Sequence, residues 1–207
     1  MAKLNSIADL RRVIPEPRPT TKVKILEALD EQSIDFLKRC PFALVSTTSP
    51  DGTIEVSPKG DEPGFIRVED SRTLLIPERV GNNLAFGLSN MIANGRIGMI
   101  CLVPATGETL RLSGTAEVFD DPDLVGSLSS LGKPALLATR VKIKHCYFHC
   151  ARSIVRAGLW KPETWPAAGR ISFGKIIAPR MGQGEELADQ IDTGVAGAYK
   201  ERLWVNS

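Results

Sequence analysis

Two short segments of the chain carry the residue types that bind phosphate groups. Ser57-Pro58-Lys59-Gly60-Asp61 directly follows a predicted strand, and Arg79-Val80-Gly81-Asn82-Asn83 leads into a helix predicted to start near Asn82. A helix N-terminus carries unpaired N–H groups and a partial positive charge, so it attracts anions. The hydroxyl of Ser57, the ammonium of Lys59, the guanidinium of Arg79 and the two asparagine amides add donors suited to phosphate oxygens. These residues alone leave open a second interpretation, a capped helix after a surface turn.

Two further groups of polar residues have the side chains needed for ligand or metal binding. Arg111 lies on the polar face of the alternating stretch 110–119, where it either contacts a ligand or is simply solvated. The run His145–Cys150 has zinc-ligand residue types, but the alternation before it predicts a strand, which separates His145 from His149 by roughly 13 Å. The chain contains no other histidine. We therefore predict no metal site.

The elements that must position these residues are mainly strands. Turn chemistry at residues 49–52 predicts a hairpin between strands at 42–48 and 53–56, and a second pair is predicted at 65–68 and 73–76. The stretch 97–103 is continuously apolar, which is typical of a strand buried on both faces. Strands are also predicted at 110–119 and 135–149.

Helical spacing appears at both ends of the chain and once in its middle. Within residues 1–40, Ile25, Leu26 and Leu29 share one predicted face, and Asp30 is placed as the N-cap of a second run. Further helices are predicted at 82–93, ended by Gly95, after Asp121-Pro122, near 150–159 and at the C-terminus. The whole predicts one domain over residues 1–207, with a helical segment at 1–40, a barrel at 41–150, and helices and a loop at 151–207.

Composition excludes several classes of protein. The apolar fraction of 43% and the charged fraction of 24% are those of a globular chain. A net charge of +2 argues against a nucleic acid as partner. No apolar run approaches the roughly 20 residues that cross a bilayer, the N-terminus has no signal-peptide pattern, and four cysteines are too few for a disulfide scaffold. We predict a cytoplasmic protein without a membrane partner.

The segments that carry the candidate phosphate site also resemble a known family. The runs SPKGDEPGFIRVEDSRTLLIPERVGNN and NGRIGMICLVPATGETLRLSGTAEV are similar to the flavin mononucleotide (FMN)-binding split-barrel proteins related to pyridoxamine 5′-phosphate oxidase. More narrowly, they resemble an FMN-dependent subgroup with the pattern SPKGD…GNN…GETLR. The resemblance extends from about residue 30 to residue 162.

The resemblance implies a mainly β fold with flanking helices, a six-stranded, mostly antiparallel split β-barrel that forms a homodimer with FMN at the interface. It implies cofactor contacts from Ser57, Lys59, Arg79, Asn82 and Asn83, and from Arg111 toward the flavin of the other subunit. The biosynthetic oxidase has an arginine in place of Ser57 and an Arg-Lys pair in place of Asn82-Asn83, and its C-terminal substrate segment is not matched. Pyridoxamine phosphate is therefore not the expected substrate.

The sequence thus predicts an FMN-dependent oxidoreductase that acts on an unidentified small molecule. No catalytic residue is assigned, because flavin hydride transfer needs no side-chain acid or base. Two alternatives remain: a flavin-binding protein without turnover that serves storage or sensing, and a split barrel that holds a deazaflavin or haem.

Overall fold

Seven antiparallel strands form one sheet in the computed structural model, which describes residues 3–203. The strands are β1 (Phe42–Thr48), β2 (Ile54–Gly60), β3 (Arg67–Asp70), β4 (Thr73–Glu78), β5 (Arg96–Leu102), β6 (Thr109–Phe119) and β7 (Leu137–His149). Their order across the sheet is β2-β1-β5-β6-β7-β4-β3. The predicted fold class is confirmed. The sheet has seven strands and not the six that were predicted. The short β3 lies at one edge and pairs with β4 alone. Within residues 3–203, no backbone ladder joins the two edges of the sheet.

Helices flank this sheet. They are α1 (Ile7–Val13), α2 (Pro19–Lys22), α3 (Glu31–Lys38), α4 (Phe86–Asn94), α5 (Pro122–Ser127), α6 (Arg152–Ala157), α7 (Phe173–Ile177) and α8 (Glu185–Glu201), with short 3₁₀ helices at Pro162–Thr164 and Ala178–Met181. Across residues 3–203, no helix has both the length and the apolar character needed to cross a membrane. The sequence did not predict α7, which packs against α8 so closely that Gly174 has no room for a side chain beside Ala188.

The β1–β2 hairpin follows from its turn. The carboxylate of Asp51 accepts a hydrogen bond from the N–H of Thr53 at 3.0 Å, and the N–H of Gly52 donates to the carbonyl of Ser49 at 3.0 Å. However, β2 extends to Gly60 instead of ending at Val56. Ser57 and Lys59 therefore lie within the strand, on the face that is turned toward the interior, and not in a loop after it.

The prediction of a helix at residues 25–29 was wrong. Leu26 pairs with Cys146 through two backbone hydrogen bonds of 2.9 and 2.8 Å, so this segment is extended and not helical. The segment forms a short β bridge to β7 instead. Its backbone hydrogen bonds are made with a strand that is distant in sequence, and the local spacing of apolar residues cannot predict such a partner. Asp30 does cap α3, since its carboxylate accepts from the N–H of Ser33 at 2.8 Å.

Replacing Asp30 with alanine should lower the free energy of unfolding by about 1 kcal/mol at pH 7. Hydrogen bonds from the side chain and then the backbone of Ser33 lower the pKa of Asp30. A lowered pKa means that the stabilisation is present above the unfolded-state value and is lost as the pH falls through the folded-state value. Urea unfolding at pH 7 and in acid should show this difference shrink. Asp30→Asn keeps a capping side chain and should stay near the wild type at pH 7.

The core lies between the inner face of the sheet and the helices α3 and α4, and it includes Leu37, Cys101, Leu110 and Leu112. The prediction that strand 97–103 is buried on both faces was wrong for the single chain. Ile97, Met99 and Cys101 are buried, whereas Gly98, Ile100 and Leu102 point outward and are only half-buried. An apolar surface therefore remains on the outside of β1, β2 and β5.

We call this surface the outer patch. Its residues are Phe42, Leu44, Ile54, Val56, Ile100 and Leu102. Ile54 and Val56 are 67% and 58% exposed, and Leu44 lies directly between Pro58 of β2 and Ile100 of β5. Soluble monomers rarely expose contiguous apolar surface of this kind, and such patches mark interaction sites.

Candidate functional site

The loop that joins β4 to α4 differs from its sequence prediction. The helix begins at Phe86, four residues after Asn82, and ends as predicted at Gly95, whose φ of 67° gives a left-handed C-cap. Asn82 and Asn83 are exposed loop residues. The side-chain carbonyl of Asn82 accepts from the N–H of Leu84 at 3.1 Å, which leaves its amide N–H groups for other partners.

The start of α4 is built in an unusual way. Asn83 and Ala85 both have left-handed backbones, with φ values of 60° and 53°, and no side chain caps the helix. A left-handed alanine costs roughly 1–2 kcal/mol, and such strained residues concentrate at ligand-binding sites. The uncapped first turn presents its N–H groups and the positive end of the helix dipole.

Ser57 lies against this first turn. A Cβ atom at position 87 would stand 3.5 Å from the Ser57 hydroxyl and 3.7 Å from that of Thr47, which shows that Gly87 faces both hydroxyls. Asn90 fixes the helix in this place by donating to the buried hydroxyl of Thr47 at 3.1 Å. The half-buried hydroxyl of Ser57 makes no hydrogen bond to any residue within 3–203.

We call this arrangement the α4 seat. It consists of Ser57, the first turn of α4, and the amides of Asn82 and Asn83. Ser57 lies on β2 beside the uncapped end of α4, and Asn82 and Asn83 lie in the loop that leads into it. The sequence missed Thr47, Gly87 and Asn90, since only the packing of α4 on β1 reveals their contribution.

Lys59 is held by a buried acid. Its ammonium forms an ion pair with Glu78 at the end of β4, and the other carboxylate oxygen of Glu78 accepts from the hydroxyl of Thr139 at 2.9 Å. Glu78 is nearly inaccessible to solvent. One of the three ammonium N–H groups is used in this way, which leaves two for another acceptor.

Arg79 is held even more firmly. Its Nε donates to Asp61 at 2.6 Å, its Nη2 to the carbonyl of Leu128 at 2.8 Å, and its Nη1 to that of Lys133 at 3.4 Å. The side chains of Arg79 and Asp61 are only 12% and 1% exposed. Three of the five guanidinium N–H groups thus have protein acceptors. Ser130 donates to Asp61 at 2.7 Å and completes the cluster.

These two ion pairs cross the gap between the ends of the sheet. Lys59 and Asp61 belong to the β2 edge, whereas Glu78 and Arg79 belong to β4 and the residue after it. The pairs therefore close the split through side chains where the backbone ladder is missing. The cavity beside them has a volume of about 120 Å³, below the roughly 300–1,000 Å³ of typical ligand pockets.

Arg111 is not brought together with the other predicted site residues. It is exposed on the outside of β6, opposite Ile100 and Tyr147, while Ser57 and Lys59 point to the inside of the sheet. Within one chain, Arg111 and the α4 seat lie on opposite faces. The strand predicted at 135–149 is confirmed as β7, which begins at Leu137, with His145, Tyr147 and His149 on the outer face and Cys146 buried.

The fold is an antiparallel split barrel, and the candidate site lies at a strand–loop–helix junction. A family model for pyridoxamine 5′-phosphate oxidase matches residues 29–150, more than half of the chain. The chain belongs to this family. No curated protein matches it.

Several solved structures are similar to this chain. HupZ from Group A Streptococcus is 16% identical with a TM-score of 0.47, covering 58% of this chain and 93% of its own. A protein related to general stress protein 26, of the pyridoxinephosphate oxidase family, from Clostridium acetobutylicum is 13% identical with a TM-score of 0.45, covering 59% and 91%. An FMN-binding protein from Syntrophomonas wolfei is 9% identical with a TM-score of 0.41, covering 55% and 86%.

Proposed function

We propose that the chain binds FMN with its phosphate in the α4 seat, works as a homodimer, and oxidises or reduces a small molecule. The observation that carries this proposal is the unpartnered, half-buried hydroxyl of Ser57 beside the uncapped start of α4. In a member of this family, a donor set of this kind suits the terminal phosphate of a flavin nucleotide.

The donors near the seat support a phosphate ligand. A phosphate monoester carries about −1.5 to −2 charges at pH 7 and three acceptor oxygens. The helix N-terminus, Ser57, Asn82 and Asn83 supply neutral donors. The Lys59–Glu78 and Arg79–Asp61 pairs are each neutral overall, and Lys59 and Arg79 keep the N–H groups that their internal acids leave over. Each hydrogen bond from such donors to a charged oxygen contributes about 1.5–3 kcal/mol.

A site built from two chains fits the position of Arg111. Arg111 faces away from the seat of its own chain. A two-fold dimer through the outer patch would bury the exposed apolar residues and bring Arg111 of one chain toward the cofactor of the other. The outer patch, together with this placement of Arg111, supports a shared site.

The chemistry itself belongs to the cofactor, which supplies hydride or electron transfer when it is bound. The residues of the chain bind and orient it. Ser57 and the first turn of α4 hold the phosphate, and the ion pairs Lys59–Glu78 and Arg79–Asp61 fix the end of β2 against the end of β4.

Extraction of the cofactor from purified protein tests the proposal. The expected result is a yellow protein that releases FMN, and FAD, a deazaflavin or haem would each contradict it. The reduced protein should then be reoxidised faster by some organic acceptor than by oxygen. A bound flavin that no tested acceptor reoxidises faster than oxygen would favour the storage or sensing alternative.

Replacing Ser57 with alanine should raise the dissociation constant for FMN about tenfold, because one charge-assisted hydrogen bond to the phosphate is lost. The affinity for riboflavin, which has no phosphate, should not change. Fluorescence titration of both flavins into apoprotein measures the two constants. Ser71→Ala, in the exposed β3–β4 turn, is the matched control and should leave both unchanged. An equal loss of riboflavin and FMN affinity in Ser57→Ala would argue against the phosphate contact.

A further inference from the structure

Tyr147, on the outer face of β7, is surrounded by cationic and imidazole side chains. The Nζ of Lys24 lies 5.4 Å and the Cζ of Arg111 lies 5.9 Å from the centre of its ring. The ring of His149 lies 5.2 Å away at 64° to it. Lys24 is fixed there by a 3.2 Å hydrogen bond to the carbonyl of Phe148, and Arg111 by its register directly opposite Tyr147.

This cluster lacks a carboxylate. None of the ion pairs formed within residues 3–203 includes Lys24, Arg111 or His149. Two positive charges beside one ring therefore have no counter-charge from the described part of the chain. Cation–ring contacts offset only part of the repulsion between like charges, so a bound anion would stabilise the group.

The same sheet contains a comparable contact that is complete. Arg140 lies 5.0 Å above the ring of Phe119, and its Nε and Nη2 bind the two carboxylate oxygens of Glu69 at 2.7 and 2.9 Å. At Arg111 the cation and the ring are present but the carboxylate is missing. A planar oxyanion from outside the chain would take the position that Glu69 takes at Arg140.

We propose that Lys24, Arg111, Tyr147 and His149 bind the carboxylate or phosphate group of the small-molecule substrate. The oxyanion site stands on the geometry of one chain, and its assignment to the substrate rests on the proposed function. Arg111 lies opposite Ile100, at the border of the outer patch. The site therefore suits a small molecule that carries a carboxylate or phosphate group.

The state of His149 agrees with this site. Burial, followed by the charges of Arg111 and Lys24, lowers the pKa of His149. A bound anion would oppose the field of both cations, so the pKa of His149 should rise when the site is filled. The imidazole is thus a reporter of occupancy as well as a donor.

Because the chain has only two histidines, their ring signals in NMR spectra are assigned with a single His145→Gln variant. Benzoate and inorganic phosphate are titrated into the FMN-loaded protein. The expected result is a saturable shift of the His149 signal with a raised pKa. Lys24→Gln and Arg111→Gln should each weaken binding about tenfold, the loss of one charge-assisted hydrogen bond. Lys142→Gln, an exposed lysine on the same strand, should change it less than about twofold.

Three results would overturn the proposal. The first is a His149 signal that does not respond saturably, and the second is an effect of Lys142→Gln equal to that of Arg111→Gln, which indicates general surface charge. The third is a His149 signal that shifts when FMN, but not riboflavin, is added to apoprotein and does not respond to benzoate or phosphate in the FMN-loaded protein. In that case the bound anion would be the flavin's own phosphate. A colourless protein that still binds benzoate at His149 keeps the oxyanion site and overturns only its assignment to a flavin substrate.

Discussion

Replacing Arg79 with alanine is expected to lower the free energy of unfolding by about 3–5 kcal/mol. Asp61 is 1% exposed at its side chain, and its ion pair with Arg79 is one of two that cross the split in the sheet. Without the guanidinium, the buried carboxylate of Asp61 loses this ion pair, and the carbonyls of Leu128 and Lys133 lose donors. The cost of keeping that carboxylate buried without its cation exceeds the net contribution of the intact pair.

Urea unfolding of the FMN-free protein measures this effect without a contribution from ligand binding. Arg72→Ala is the matched control, because its ion pair with Glu27 is 3.7 Å long and largely exposed, and its loss should cost less than about 1 kcal/mol. Adding Asp61→Asn to Arg79→Ala should recover part of the loss, since the buried negative charge is then removed. If Arg79→Ala costs no more than Arg72→Ala, side-chain ion pairs do not hold the split closed.

If the proposed homodimer forms through the outer patch, replacing Leu44 with aspartate should raise its dissociation constant at least about a hundredfold. A charge would then be buried without a partner at the centre of the outer patch. FMN affinity should fall with it if the site is built from two chains. Sedimentation analysis over a range of concentrations measures the first effect, and flavin titration measures the second.

Ile7→Glu serves as the control for Leu44→Asp. Ile7 is 71% exposed on α1, a helix with no buried residues, so a charge there should change neither the dimer nor the flavin affinity. A monomeric wild-type protein that still binds FMN tightly would contradict the shared site, whatever the effect of Leu44→Asp.

Subunit mixing tests which chain supplies each residue of the shared site. A mixture of Ser57→Ala and Arg111→Ala chains forms some heterodimers in which one site has both residues intact and the other has neither. If Arg111 contacts the cofactor of the partner, flavin titration of this mixture should reveal a fraction of sites with wild-type affinity. If each site draws both residues from one chain, every heterodimer has two impaired sites and this fraction is missing.

The internal ion pairs also change the roles expected of Lys59 and Arg79 in cofactor binding. From their sequence positions, Lys59 and Arg79 are free cations beside a helix, whereas in the structure each is bound to a buried acid. Their effect on a phosphate therefore depends on the N–H groups that remain and on the positions of β2 and β4. Substitutions there combine stability and binding effects, and for this reason Ser57 is the cleaner test of the phosphate contact.

Local chemistry determined much of this protein from its sequence. The β1–β2 turn, the Asp30 cap of α3, the Gly95 end of α4 and the alternation of β6 each depend on residues within a few positions of one another. Hydrogen bonds and side-chain periodicity over such distances are written in the order of the residues. The residue types of segments 57–61 and 79–83, which lead to the α4 seat, are also recognisable from the sequence alone.

Tertiary structure alone decided what those segments contact. Leu26 became a bridge to Cys146, and α4 began four residues later than its asparagines suggest. The acids that bind Lys59 and Arg79 are 19 and 18 residues away. They come close only because the curved sheet brings the end of β2 near the end of β4. The separation of Arg111 from the α4 seat has the same cause, since strand pairing determines which side chains share a face. Partners across a sheet depend on register and curvature, and neither is encoded in the spacing of residues along one strand.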